Sequence, residues 1–266
     1  MIWRFVASAV AVALLGFAAI PTAYAASPAP ISGWTGWYAG VVGGWISQDG
    51  SITNSATALP SSGVLAGAES RAFVQAIPSS VGTGSSSGTV GGELGYNWML
   101  SPTSLIGVET DFSWTGINGS TSVTNVAPAP LSRPVTTTGS ERLDWLGTAR
   151  IRTGYLWTPN LLLYITGGLA YGGESSSVGV NQPPTGPHGH TVNLTSSASG
   201  AALGAAVGAG AEWRLMGNWS VKGEYLYYFL PAENLFISRA SDPGFTLGSV
   251  ASFQGSIVRG GLNYKF

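Results

Sequence analysis

Two histidines stand one residue apart, His188 and His190, just after Pro183, Pro184 and Pro187. That spacing suits a surface metal or haem contact, since neutral imidazole is a common metal ligand. No carboxylate lies close by in sequence and the chain has no cysteine, so a solvated loop is the plainer reading. A Ser-His-Asp set needs a histidine held by a rigid scaffold, and both histidines share this one Pro/Gly stretch. Glu109 and Asp111 fall on one face of an extended segment. Paired carboxylates can cleave glycosidic bonds, but Arg150 and Arg152 on the following segment offer neutralising partners. The string from Gly40 to Gly44 has no helix after it, so it does not read as a phosphate-binding loop. A formal charge of −1 and a pI of about 6.1 lack the basic footprint of a nucleic-acid binder. The residues therefore predict no catalytic group, cofactor, metal site or nucleic-acid partner.

Charged residues make up 9% of the 266-residue chain, far below the roughly 25% of soluble proteins. Their placement is informative. Eight stretches alternate with period two, the strand signature: 36–46, 89–100, 104–114, 142–157, 161–173, 200–215, 219–230 and 251–266. On seven of them one face is aliphatic and aromatic. The other face carries Glu93, Glu109, Asp111, Asp144, Glu212 and Glu224, and Arg150, Arg152, Arg214, Lys222, Arg259 and Lys265. The first stretch has aromatics on both faces and its facing stays open. A soluble sandwich would turn charges to water and aromatics inward. A transmembrane barrel does the reverse, because a charge facing the bilayer midplane costs about 2–4 kcal/mol.

The connections alternate strictly. Residues 101–103, 158–160 and 216–218 are tight turns, while 47–88, 115–141, 174–199 and 231–250 are long. An all-β, eight-stranded antiparallel up-and-down transmembrane β-barrel has this rhythm, with short turns in the periplasm and four long outer loops. The apolar faces begin or end with Trp98, Trp114, Trp145, Trp157, Trp213, Trp219, Tyr264 and Phe266, candidates for the aromatic girdles at the membrane interfaces.

At the N-terminus, Arg4 precedes an apolar run over 5–20, then Pro21 and Ala23-Tyr24-Ala25. This predicts a secretory signal peptide over 1–25, cut between Ala25 and Ala26, and a barrel domain over 26–266. Its partners would be outer-membrane lipid and lipopolysaccharide, with the C-terminal strand ending in Phe266 as the signal to the barrel-assembly machinery.

Several strings resemble a known family: Trp34-Thr-Gly-Trp-Tyr38, Gly91-Gly-Glu-Leu-Gly-Tyr-Asn-Trp98, Gly107-Val-Glu-Thr-Asp111, the run from Leu143 to Tyr155, Tyr164-Ile-Thr-Gly-Gly-Leu-Ala-Tyr-Gly172, the run from Asn218 to Tyr228, and Val258-Arg-Gly-Gly-Leu-Asn-Tyr-Lys-Phe266. Together they resemble the small outer-membrane β-barrels of alphaproteobacteria, the RopB-like immunogenic porin family, related in fold to the OmpA transmembrane domain. The resemblance covers the strands and hardly any of the loops. It implies a Gram-negative outer-membrane location. For activity it leaves structural, porin-like, adhesive and haem-binding roles open.

An eight-stranded interior is just wide enough for side chains to fill. The twelve charges predict a plugged lumen, with Arg150, Arg152 and Arg259 against Glu93, Glu109 and Asp111, and a structural envelope role. Strand glycines such as Gly95 and Gly210 subtract lumenal volume, which favours the rival of a small passive porin. A second rival is an adhesin or haem-binding surface borne by the outer loops.

Overall fold

The computed structural model describes residues 33–58, 67–184, 191–238 and 245–266. The signal-peptide expectation over 1–25, its cleavage site at Ala25 and Ala26, and the pair His188 and His190 lie outside the described residues.

Ten strands and one helix follow in order: β1 (Gly36–Gln48), β2 (Ser51–Ala58), α1 (Ala68–Ala76), β3 (Ser80–Gly82), β4 (Ser85–Met99), β5 (Ser104–Val126), β6 (Pro134–Thr158), β7 (Leu161–Gln182), β8 (Val192–Arg214), β9 (Trp219–Ser238) and β10 (Phe245–Lys265). β1 and β4–β10 pair in sequence, and β10 returns to β1, closing a ring of eight antiparallel strands. The three tight turns share one end with Lys265 and Phe266, the turn end. Gly217 adopts φ +60° there, a left-handed conformation that glycine takes without a Cβ clash.

At the turn end the strands keep the inverted alternation. Trp37, Val41, Leu94, Val108, Ile151, Ile165, Val207, Val221 and Leu262 are exposed on the outside. β1 joins this pattern with Tyr38, Val42 and Ile46 inward, which resolves the facing left open by its sequence.

The other end departs from expectation. Most of 115–141, 174–199 and 231–250 is strand, not loop, and 47–88 holds β2, α1 and β3. Here the ring parts into two sheets. β5–β8 stay paired up to Val126↔Pro134 and Gln182↔Val192. β9, β10, β2 and β3 form the second sheet, because β10 exchanges β1 for β2 beyond Gln48↔Gly255. Val135, Val178, Val180 and Val192 of the first sheet join one apolar core with Ile52, Leu235, Phe245 and Leu247 of the second. A Cβ on Gly139 would lie 3.1 Å from Ile52 and 3.4 Å from Val81, so the two inner faces touch. The outward face is Ser and Thr, with Oγ–Oγ contacts of 2.8 Å at both Ser140–Ser177 and Thr124–Thr136. This head thus reads polar outward and apolar inward, as a protein in water does, whereas the belt below reads the opposite way. Sequence rich in Ser, Thr and Gly hid these strands, since its apolar period rests on scattered Val, Leu and Ala.

Helix α1 closes the head. Glu69 sits in its first turn, where a negative charge meets the positive end of the helix dipole. It stops before Ile77, which is extended, as a residue preceding proline prefers. Its buried face presents Phe73 to Phe245, with ring centroids 4.7 Å apart.

Bulges join belt and head on three strand pairs: β5 with β6, where Thr115 and Gly116 together stand opposite Asp144, β6 with β7, and β9 with β10. Trp145 faces Gly173 and Leu143 faces Glu174, so Asp144 has no counterpart on β7. Likewise Pro231 and Ala232 together stand opposite Ser252. An extra residue bends the strand and reverses which side chains point inward beyond it.

Candidate functional site: the charged interior of the ring

Nine of the twelve sequence-nominated charges meet inside the belt. Glu93, Glu109, Asp111, Arg150, Arg152, Glu212, Lys222, Glu224 and Arg259 are all buried. Arg150 lies at the centre. Its Nη2 contacts Glu109 Oε1 at 2.5 Å and Asp111 Oδ2 at 2.9 Å, and its Nη1 contacts Glu224 Oε1 at 2.8 Å. Arg259 spans Glu224 Oε2 through Nε at 2.8 Å and Asp111 Oδ2 through Nη2 at 2.9 Å. The planar guanidinium fork allows such multiple pairing. Lys222 Nζ sits 2.5 Å from Glu93 Oε2 and 3.1 Å from Glu109 Oε2, so Glu93 pairs with Lys222 and not with an arginine as expected. Arg152 reaches Glu212 at 3.1 Å and Glu109 at 3.3 Å. Its guanidinium also lies 4.7 Å from the Tyr38 ring centroid and 5.1 Å from that of Tyr164, within cation–π range.

Five carboxylates thus face four cations, and neutral donors serve the remainder. Tyr38 donates to Glu109 at 2.7 Å, Tyr164 to Glu224 at 3.2 Å, Ser220 to Glu212 at 2.6 Å and Thr148 to Asp111 at 2.5 Å. Tyr164 has the inward parity that the sequence reading gave it, whereas Tyr38, Ser220 and Thr148 were outside that reading. The glycines do not leave the expected room. Gly95 faces Tyr38 and Gly210 faces Tyr164 across neighbouring strands. A Cβ at Gly95 would overlap the Tyr38 hydroxyl, and one at Gly210 would stand 2.5 Å from that of Tyr164. The tyrosines occupy the volume that the glycines vacate.

Three nominated charges lie elsewhere. Asp144 is the bulged residue and points outside, pairing with Arg142 at 2.7 Å with both side chains at least half exposed. The same bulge turns Leu143, expected on the lipid side, into the buried core. Arg214 and Lys265 keep the inward register but sit at the turn-end mouth, around a small pocket that they share with Trp34, Asn97 and Glu212. Arg214 lies 5.7 Å from the Trp34 ring centroid, and Lys265 Nζ donates to the Gly33 carbonyl at 3.2 Å.

The nominated aromatics occupy two levels on the outside. Trp98, Trp157, Trp213, Trp219, Tyr264 and Phe266 cluster at the turn end, with Trp157 70% and Phe266 72% exposed. Trp219–Tyr264 and Tyr264–Phe266 centroids are 5.0 and 5.5 Å apart. Trp114 and Trp145 face each other at the rim below the head, joined by Phe112 and Tyr171.

Two buried acids, Glu141 and Glu174, were missed altogether. Glu141 lay in an expected loop. It belongs to β6 beyond the bulge, where Gln48 Nε2 donates to its Oε2 at 3.0 Å. Burial pushes its carboxyl above the usual carboxylate range, partly offset by polar neighbours. Among the described residues, no group of three or more His, Cys, Asp or Glu is placed to hold a metal ion.

A closed antiparallel ring, apolar on its outer belt and charged within, defines a transmembrane β-barrel. The family model for the outer membrane protein beta-barrel domain matches residues 10–266, and the chain belongs to that family. It is 37% identical over 180 residues to the 31 kDa outer-membrane immunogenic protein of Brucella melitensis, covering 67% of each chain, and equally to the protein of that name from Brucella suis. Among solved structures it is similar to OprG from Pseudomonas aeruginosa, with TM-score 0.43, 10% identity, and 89% of this chain and 99% of that one covered. It is also similar to Ail of Yersinia pestis, with TM-score 0.31, 9% identity, and 85% and 99% covered. The protein is an outer-membrane β-barrel of the Gram-negative envelope.

Proposed function

We propose that this protein is a structural component of the outer membrane whose lumen is plugged and does not conduct ions. The observation that carries the reading is the ion-paired layer around Arg150, which links β5, β6 and β9 directly. The apolar core of the head, with α1 packed into it, lies above that layer. An eight-stranded ring offers side chains little more space than they fill, so two stacked layers leave no continuous water path. In this reading the Trp, Tyr and Phe at the two rims anchor the barrel in lipid and lipopolysaccharide. The signal peptide is removed before Ala26, and the strand ending in Phe266 is offered to the assembly machinery. No reaction is assigned to the chain.

The test is single-channel recording of the protein purified from outer membranes. The wild type is expected to be silent, and an Arg150→Ala variant that retains its folded gel mobility is expected to show small conductance steps. Discrete steps from the wild type, shifted in size by Arg150→Ala, would sink the plugged reading in favour of a passive pore.

A further inference from the structure

We propose that calcium, a hard divalent cation, binds inside the barrel where belt meets head, on the side-chain oxygens of Glu141, Gln48 and Thr83 with Tyr228 beside them. Three oxygens there are buried and meet no hydrogen-bond partner: Glu141 Oε1, Gln48 Oε1 and the Tyr228 hydroxyl. A buried polar atom left without a partner opposes folding, so three in one place call for a ligand that serves them.

Separate segments bring the donors together. Gln48 ends β1, Thr83 lies between β3 and β4, Glu141 is on β6 past the bulge, and Tyr228 is on β9. A Cβ on Gly50 would overlap Glu141 Oε2 and would stand 2.7 Å from Thr83 Oγ1 and 3.1 Å from Gln48 Nε2. The three side chains therefore converge on one point, which Gly50 leaves open. A Cβ on Gly255 would stand 2.8 Å from the Tyr228 hydroxyl and 3.0 Å from Gln48 Cα, so that hydroxyl lies beside Gln48. The Gln48 amide nitrogen is 3.0 Å from Glu141 Oε2, and a half-turn of the amide exchanges its nitrogen for its oxygen. Calcium–oxygen bonds of about 2.3–2.6 Å bring neighbouring ligand oxygens to a similar separation.

Charge selects a cation over water. The groups that act on Glu141 are the neutral Thr83 and Gln48, and the carboxylates of Asp49 and Glu141 both act on Tyr228. Water would serve the oxygens and leave the buried charge uncompensated, whereas a cation does both. Every donor is oxygen, which selects a hard ion over zinc or copper. Calcium accepts irregular shells of carboxylate, amide, hydroxyl and water oxygens, while magnesium demands a near-ideal octahedron. Glu141 supplies the one carboxylate among the three ligands, so a search for clustered acids passes over the site. The low ligand charge predicts a Kd on the order of 0.1–1 mM, as in weak extracellular calcium sites.

The test uses the whole protein purified from outer membranes, stripped with EDTA and refolded from urea into detergent at constant ionic strength. The ion is added before refolding, because burial closes the site. Terbium(III), which takes the oxygen ligands of calcium and luminesces when a nearby tyrosine or tryptophan is excited, probes binding. Urea unfolding is the second readout. The wild type is expected to show terbium luminescence that calcium displaces, and a urea midpoint that rises between about 0.1 and 10 mM calcium. Glu141→Gln is expected to unfold later than wild type in EDTA, since it removes the uncompensated charge, and to lose both calcium responses. Gln48→Glu adds a second carboxylate and is expected to bind calcium about tenfold more tightly, while unfolding earlier than wild type in EDTA. Three results overturn the proposal: a folded wild type with neither response, so that water serves the three oxygens; equal responses in Glu141→Gln, which put the ion elsewhere on the barrel; or a folded Gln48→Glu that binds no more tightly than wild type. These readouts leave Arg150 in place and measure no current, so this outcome and the conductance outcome are independent.

Discussion

Arg150 of β6 and Glu224 of β9 meet across the barrel, Nη1 to Oε1 at 2.8 Å, although their strands are three places apart in the ring. The pair ties opposite walls together. Because Glu109 and Asp111 share the same guanidinium, its loss removes one cation from three buried carboxylates at once, leaving Glu109 to Arg152 and Lys222, and Asp111 and Glu224 to Arg259.

Arg150→Ala is therefore expected to lower unfolding stability by about 3–5 kcal/mol, the range for breaking a buried pair from one side. Arg142→Ala breaks the pair with Asp144, both at least half exposed, and is expected to cost about 0–1 kcal/mol. Urea unfolding of both variants in the same lipid or detergent measures the contrast. Equal effects would mean that the interior charges are more hydrated than their burial indicates.

Tyr38→Phe removes one hydroxyl from Glu109 and leaves the ring over Gly95. A hydrogen bond to a charged group contributes about 1.5–3 kcal/mol, and the loss is expected within that range. Gly95→Val acts on the same contact from the other side, since its side chain claims the space of the Tyr38 ring. It is expected to reduce the yield of folded barrel, read as the fraction with folded gel mobility.

Phe73→Ala empties the head core beneath α1, where Phe73 is fully buried. Large-to-small changes at such sites cost about 3–5 kcal/mol. The expected effect is local: faster protease cleavage in 67–79 with the belt strands still protected. Hydrogen exchange of β2 and β3 against β5–β7 amides separates local loosening from global unfolding.

Glu141 supplies a pH dependence. Its folded carboxyl is raised by burial, so the folded state holds the proton more tightly than the unfolded chain. Ionisation above that raised value opposes folding, and the penalty fades as pH falls through it. Glu141→Gln is expected to unfold at higher denaturant than wild type at pH 7, with the gap narrowing toward pH 4. A gap that widens on acidification would reverse the sign and show that the charged form is the one stabilised in the fold.

The belt was legible from residues alone. Each strand must sort its side chains by two, and lipid penalises any charge on the wrong face, so parity read from Glu109, Arg150 or Lys222 carries directly to the interior. Strand count, turn positions and the outward rows of Trp98, Trp157 and Trp219 follow from the same local rule. Asp144 shows where that rule stops. A single bulged residue reverses parity, and nothing in its own sequence announces that β7 will offer it no partner.

What only the tertiary structure decided is what happens between strands far apart in the chain. Whether Glu93 pairs with Lys222 or an arginine depends on reach across the ring. Whether Gly95 is a void or a seat for Tyr38 depends on cross-strand register. The stretches of Ser, Thr and Gly beyond the membrane become strands because two sheets close over one core, and burial of dispersed Val, Leu and Ala from both is strong only when they meet. Local alternation encodes the face on which a side chain lies, while its partner is set by closure of the ring and by the parting of its wall at β8 and β9.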